Sequence, residues 1–283
     1  MKNKFLALAF VLCILSIVLF ASSCGSSGTE GLEYVEINDN EYGVKCGEAI
    51  NASEIVIPSK YDGKKVTAIL LSGFSKCENL VSITIPKTIA TIEKGAFYNC
   101  KKLENVYFEG KLANWCNIDF VHSTSTPMSE AEHLFINGKE VTDLQLEDVS
   151  EIKKYAFFGC ENIVSFSSDN NLKVIGENAF AGCENLETVN LPSSLEKLEK
   201  LCFSTCISLH NVTIPKSVYQ INLLAFYEAR LHNVTFEDSE KWFFTDKETS
   251  TRGDKVDVTN PSTNASYLRK QNTGYWKRVL PTA

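Results

Sequence analysis

Histidine is scarce in this chain, with four in 283 residues: His122, His133, His210 and His232. His210 and His232 hold equivalent positions in a repeat described below, but two imidazoles without a third ligand make a poor zinc site. No Cys-x-x-Cys pair has a histidine partner, and no P-loop, zincin helix or nucleophile elbow occurs. These absences leave no catalytic constellation, metal centre or cofactor site, and the chain reads as a non-enzyme. Positive charge is also short, 28 Lys and Arg against 35 Asp and Glu, a net of −7. That argues against a nucleic-acid partner and, more weakly, against an anionic membrane surface. With 44% hydrophobic and 22% charged residues, the composition excludes a disordered chain, a collagen and a multi-pass membrane protein.

The one long apolar run, residues 5–20, follows Lys2 and Lys4. Sixteen residues is short for a membrane span and suits the core of a signal peptide. Ala21, Ser22, Ser23 and Cys24 follow. This resembles a bacterial lipobox, with Ala21 where Leu is commoner, and the resemblance implies that Cys24 becomes the lipid-bearing first residue. The alternative is ordinary secretion with Cys24 a free thiol. Residues 1–23 are expected to be removed, leaving 26 basic and 35 acidic residues and a net of −9. Residues 24–31, rich in Gly and Ser, read as a flexible tether.

The strongest signal is self-similarity. A phenylalanine behind a small residue recurs at Phe74, Phe97, Phe157, Phe180, Phe203 and Phe226, with gaps of 23, 60, 23, 23 and 23. Five residues ahead of each stands Ile69, Ile92, Ile152, Ile175, Leu198 or Ile221. Three residues behind stands Cys77, Cys100, Cys160, Cys183 or Cys206, and finally Ala229. Alternating apolar pairs follow, such as Ile83/Ile85, Val106/Phe108 and Val212/Ile214, and Pro86, Pro192 and Pro215 stop three of them. Alternation ended by a turn predicts one short strand per repeat. A period in the twenties predicts a solenoid of parallel strands, because a single repeat cannot bury its own apolar side. Eight rungs are expected, on the order of 40 Å at about 4.8 Å each.

Stretches such as IPKTIATIEKGAFYNCKKLENV and LPSSLEKLEKLCFSTCISLHNV resemble the BspA-like leucine-rich repeats of bacterial surface lipoproteins. The resemblance covers residues 32–236 and extends to NWCNIDF and HLFINGKEVTDL in the interruption and to TNASYLRK and YWKR near the end. It implies a leucine-rich-repeat solenoid, exported and held at the cell envelope or surface, and adhesion to host matrix proteins or to other cells.

The 60-residue gap marks an insertion, 109–141, read as replacing the convex arm of one repeat and carrying a hairpin at Asn137-Gly138. Trp115, Ile118 and Phe120 are expected to pin it to the flank. Residues 237–283 break the period and read as a cap over the apolar last rung, with Asn260-Pro261 starting a helix. The first strand, near residue 55, is expected to leave an open edge. The five-Cys column reads as buried free thiols, small hydrophobes rather than disulfides or ligands; Cys46 and Cys116 fall outside it. Arg252-Gly253-Asp254 spells the integrin-recognition tripeptide, a short match that chance also produces.

Each strand turns two residues outward: Ser82/Thr84, Asn105/Tyr107, Ser165/Ser167, Thr188/Asn190, Asn211/Thr213 and Asn233/Thr235. This strip of small, uncharged polar residues is the expected ligand face, with Tyr107 its single aromatic anchor. The partner is then a host matrix or cell-surface protein, or a glycan if the protein serves capture or scaffolding in a nutrient-uptake system. The membrane is touched only through the lipid.

Overall fold

A computed structural model describes residues 28–270 and 274–279. Cys24, the leader and all of the tether before Gly28 lie outside the described residues. The chain winds as a solenoid with three sides to each turn. The first side is a four-residue strand in most turns: Glu54–Val56, Ser82–Ile85, Asn105–Phe108, His133–Ile136, Asp143–Leu146, Ser165–Ser168, Thr188–Asn190, Asn211–Ile214 and Asn233–Phe236. Their pairings within the first-side sheets are parallel and in register, residue for residue, as in Ser165 with Thr188 and Asn211 with Asn233. The second side is shorter, with two-residue strands such as Thr91–Ile92, Val174–Ile175 and Lys197–Leu198.

The third side is the small-Phe segment. Left-handed residues bracket each phenylalanine two positions before and after, for example Asn178 (φ 55) and Gly182 (φ 79) around Phe180. These two reversals aim the ring inward. Between them the backbone runs a ladder from turn to turn. Phe74, Phe157, Phe180 and Phe203 donate their N–H groups to the carbonyls of Ala96, Ala179, Cys202 and Ala225, each at 2.8 Å. The rings stack inside: Phe157 on Phe180 at 5.3 Å, Phe180 on Phe203 at 5.2 Å, Phe203 on Phe226 at 5.5 Å, none more than 15° from parallel. All six phenylalanines are fully buried, each stabilising the fold by about 1.5–3 kcal/mol of apolar burial.

The Cys column has a physical reason. Cys100, Cys183 and Cys206 donate their thiols to the carbonyls of Phe74, Phe157 and Phe180 in the preceding turn, at 3.0, 3.1 and 3.2 Å. A small side chain is needed there, and the S–H occupies a lone pair of a buried carbonyl. The eight cysteines among the described residues are free. Cys46 lies beside Cys77 at the first turn, and Cys116 is buried within the insertion.

The insertion corrects the rung count. Residues 109–141 do not replace one arm; they build a further complete turn, the ninth, and then a hairpin. The helix Leu112–Cys116 is followed by the strand Asp119–Phe120, which joins the second side on Thr91–Ile92. His133–Ile136 then joins the first side on Asn105–Phe108. Asn137 (φ 50) and Gly138 (φ 75) turn the hairpin into Lys139–Glu140, both left-handed as a type I′ turn demands. Trp115, Ile118 and Phe120 are fully buried, so they form core rather than a flank contact. The indole N–H of Trp115 donates to the Ala156 carbonyl at 2.7 Å, the place that a phenylalanine N–H fills between regular turns.

Both ends are covered. Glu33–Asn38 pairs antiparallel with Glu41–Lys45 at the start of the second side. The strand Glu54–Val56 is not an open edge as expected: Thr29 donates its N–H to the Val56 carbonyl at 3.0 Å and accepts the Val56 N–H at its hydroxyl at 2.8 Å. At the far end the Asn260 side chain caps the helix Pro261–Leu268. Asn264 of that helix donates to the Val234 carbonyl at 3.0 Å. Trp242 and Trp276 pack against Phe236, and Tyr275–Arg278 runs antiparallel beside Gln220–Ile221. No helix among the described residues is long and apolar enough to cross a membrane.

Candidate binding face

The period-two geometry of a strand sends alternate residues to opposite faces. On the first side the inward positions are buried, Val189, Val212 and Val234 among them, and the outward positions are not. All twelve sequence-predicted residues therefore point away from the core on the same side. They do not form one uninterrupted strip. The insertion turn and the strand Asp143–Leu146 separate Ser82, Thr84, Asn105 and Tyr107 from the other eight.

The stretches differ. Thr188, Asn190, Asn211, Thr213, Asn233 and Thr235 are exposed. They floor a shallow depression of about 470 Å³ that Glu187 and Glu237 also border. Its surface is mainly amide and hydroxyl, with Leu191 and Pro215 also in the lining, and Asn233 donates to the Asn211 side-chain oxygen at 3.0 Å across the rungs. The remaining amide and hydroxyl groups offer both donors and acceptors to a partner. Before the insertion, Ser82, Thr84, Asn105 and Tyr107 are only half-exposed.

Ser165 and Ser167 correct the expected strip. Both point outward but are only half-exposed, and neither lines the depression. Ser167 stands in register between Gln145 and Asn190, both exposed and both longer. A short serine between two longer side chains sits recessed below them. The Ser165 hydroxyl is already donated to Asp143 at 2.7 Å. Ser165 and Ser167 therefore interrupt the exposed hydrogen-bonding surface, which runs without a break from Thr188 to Thr235.

The insertion turn adds residues that the sequence reading missed. His133 and Phe135 lie in register with Asn105 and Tyr107, so Tyr107 is not the only aromatic residue on the face. The Tyr107 and Phe135 rings stack at 4.9 Å and 24°. His133 Nδ1 lies 2.7 Å from a Glu140 carboxylate oxygen, and Asn162 donates to the same oxygen at 2.9 Å. The signal was present in HLFI, which alternates outward and inward residues as NVYF does.

The other sequence features stand apart from the face or at its margin. His210 and His232 adjoin, ring centres 4.7 Å apart, and among the described residues no three His, Cys, Asp or Glu side chains converge on a metal position. Arg252, Gly253 and Asp254 are exposed, with Asp254 paired to Phe244 in the terminal segment. Burial pushes the thiols of Cys116, Cys160, Cys183, Cys202 and Cys206 up, well out of the range of a reactive thiolate. Glu199, on the second side, has its carboxyl pKa raised by burial, and the carboxyl is held by the Asn222 amide.

The repeat is decided by a match to the BspA type leucine rich repeat region, six copies over residues 42–127 and 131–246. The chain belongs to this family. The Leu, Ile, Phe and Cys columns that fill this BspA-type solenoid are its repeat. A leucine rich cell surface protein from Faecalibacterium prausnitzii shares the fold at 24% identity and a TM-score of 0.55, over 85% of this chain and 62% of that one. The chain thus spans less than two thirds of that protein's length. A leucine-rich repeat protein from Bacteroides capillosus is 28% identical over 34% of this chain and 78% of its own, with a TM-score of 0.32. A T. pallidum leucine rich repeat protein is 20% identical over 74% of this chain and 84% of its own, with a TM-score of 0.35. No curated protein matches the chain.

Proposed function

We propose that this protein is a non-enzymatic binding lipoprotein of the bacterial surface, anchored through Cys24, which holds the outward face of its first-side strands against a protein of the host matrix or of another cell. The observation that carries this reading is the run of exposed amide and hydroxyl side chains on consecutive rungs, Thr188 to Thr235. A shallow, open, hydrogen-bonding surface of that kind suits a macromolecule better than a small molecule, which needs an enclosed and largely apolar pocket. Repeat solenoids commonly bind through such extended faces, and the F. prausnitzii relative is described as a cell surface protein.

The test is interferometry of residues 25–283 against matrix proteins and a glycan array. Asn190→Arg with Thr213→Arg places two bulky cations in the depression. A protein ligand bound by the wild type and lost in the double variant is the expected result. Glycan-only binding that survives the double variant overturns the reading and moves the site to the aromatic terminal segment.

A further inference from the structure

The basic groups on the first side are imidazoles, His133, His210 and His232, and His133 Nε2 lies 3.8 Å from a Glu132 carboxylate oxygen. At the outward strand positions of this side, and at the residue leading into each strand, there is no Lys or Arg in any of the nine turns. Acids are present: Glu54, Glu104, Glu132, Asp143 and Glu187. The lysines that neutralise acids elsewhere sit on other sides, as in Lys154 with Asp119, Lys173 with Glu196 and Lys200 with Glu177. Lys139 belongs to the insertion hairpin but stands opposite inward-facing Ile136, whereas Glu140 stands opposite outward-facing Phe135.

Two of these acids, Glu104 and Glu132, adjoin on neighbouring turns, the Glu132 N–H donating to the Glu104 carbonyl at 3.0 Å. Glu104 and Glu132 are exposed and lead into the strands that present Tyr107 and Phe135. Asp143, exposed on the following turn, is the acceptor of the Ser165 hydroxyl. The two half-exposed rings are too close to lie side by side in one plane, so they stack and cover each other's facing sides. The pair forms an apolar ridge between hydrogen-bonding groups, Thr84 in register on one side and Glu140 on the other. An aromatic anchor rimmed by polar groups is the usual composition of an affinity hot spot between proteins.

We propose that the insertion turn is where a protein partner docks a basic segment, its apolar side chain packing on the Tyr107–Phe135 ridge and its Lys or Arg neighbours meeting Glu104, Glu132 and Asp143. This rests on the face reading above and names the chemistry of the partner. An acidic face without lysine or arginine steers a basic ligand and repels nucleic acid, anionic lipid and sulfated glycan.

The test uses the full chain in detergent and two twelve-residue probe peptides, (Gly-Arg-Leu-Thr)3 and (Gly-Glu-Leu-Thr)3, followed by calorimetry. The Arg peptide binds and the Glu peptide does not. Glu104→Lys with Glu132→Lys weakens the Arg peptide at least tenfold, and so does Tyr107→Ser with Phe135→Ser. Glu161→Lys with Glu184→Lys makes the same change of net charge beside the Cys column, off this face, and alters binding less than twofold. Equal losses from both charge-reversed pairs reduce the attraction to net charge and overturn the proposal. Equal binding of the two peptides, or no binding of either, does the same. A matrix-protein ligand that is still lost with Asn190→Arg and Thr213→Arg but is indifferent to Glu104→Lys with Glu132→Lys sinks the basic-segment proposal alone and leaves the face reading standing.

Discussion

The turns after the insertion and the insertion turn itself reach the same stacking by different means. From Phe157 to Phe226 the core repeats one device, an inward ring; Phe157, Phe180 and Phe203 donate their N–H groups to the next turn, and the thiols of Cys183 and Cys206 are tied back to the previous one. Between Phe97 and Phe157 that device lapses. The helix Leu112–Cys116 supplies a larger ring, and the Trp115 indole N–H reaches the carbonyl that a backbone N–H would have met. The difference teaches that the solenoid needs a filled interior and a satisfied carbonyl at each level, rather than a particular residue. A repeat can lapse in sequence without the winding being lost.

The largest expected effect is alkaline. Of the five thiols pushed up by burial, four lie in the regular turns after the insertion, and one, Cys116, lies in the insertion turn. In the unfolded chain a thiol ionises near pH 8.5, whereas in the folded chain these stay protonated, so above that pH the unfolded state binds fewer protons. Stability is therefore full below about pH 8.5 and falls above it, by about 1.4 kcal/mol per pH unit for each thiol that remains protonated. Urea midpoints at pH 7.5, 9 and 10 read this out, and hydrogen exchange should show opening in residues 157–229 before residues 112–120. A flat midpoint across that range would break the contrast.

Phe180→Ala removes a ring stacked on both neighbours and is expected to cost about 3–5 kcal/mol, measured by denaturant unfolding. Trp115→Phe keeps an aromatic ring in the insertion turn but leaves the Ala156 carbonyl without its donor, at a cost of about 1–3 kcal/mol. If Trp115→Phe is neutral, the indole is filler and the equivalence of the two devices fails. The smallest effect is a gain. Leu201 sits at φ 56, at the position where Asn178 and Gly95 hold the same left-handed backbone in other turns. Leu201→Asn relieves that strain and is expected to raise stability by about 0.5–1 kcal/mol, visible as a higher melting temperature.

The winding was legible because its columns are residue types with a fixed period, and burial leaves little choice at Phe180 or Cys183. The ninth turn was not, because Trp115 does Phe's work from a different position and a helix replaces the turn that would have kept the spacing. The same lapse hid half of the aromatic ridge. HLFI was read as one arm of a hairpin, which it is, and its parallel partnership with Asn105–Phe108 depends on a long-range contact that no local pattern encodes. The outward direction of each residue followed from alternation alone. Its degree of exposure did not, since Ser167 is recessed only because Gln145 and Asn190 stand beside it. The adjacency of Glu104 and Glu132 likewise arises only when consecutive turns stack.

Thr29 has a consequence for reach. It is fastened to the first rung through Val56, and only five peptide units separate it from Cys24. Fully extended, five residues span about 18 Å at most. With the lipid on Cys24 as proposed, the base of the solenoid is leashed to within that distance of the bilayer. Nine turns then carry the far end only about 40 Å further. Such a molecule works as a short, stiff post rather than a long tentacle, and a partner must come within a few nanometres of the membrane to be held.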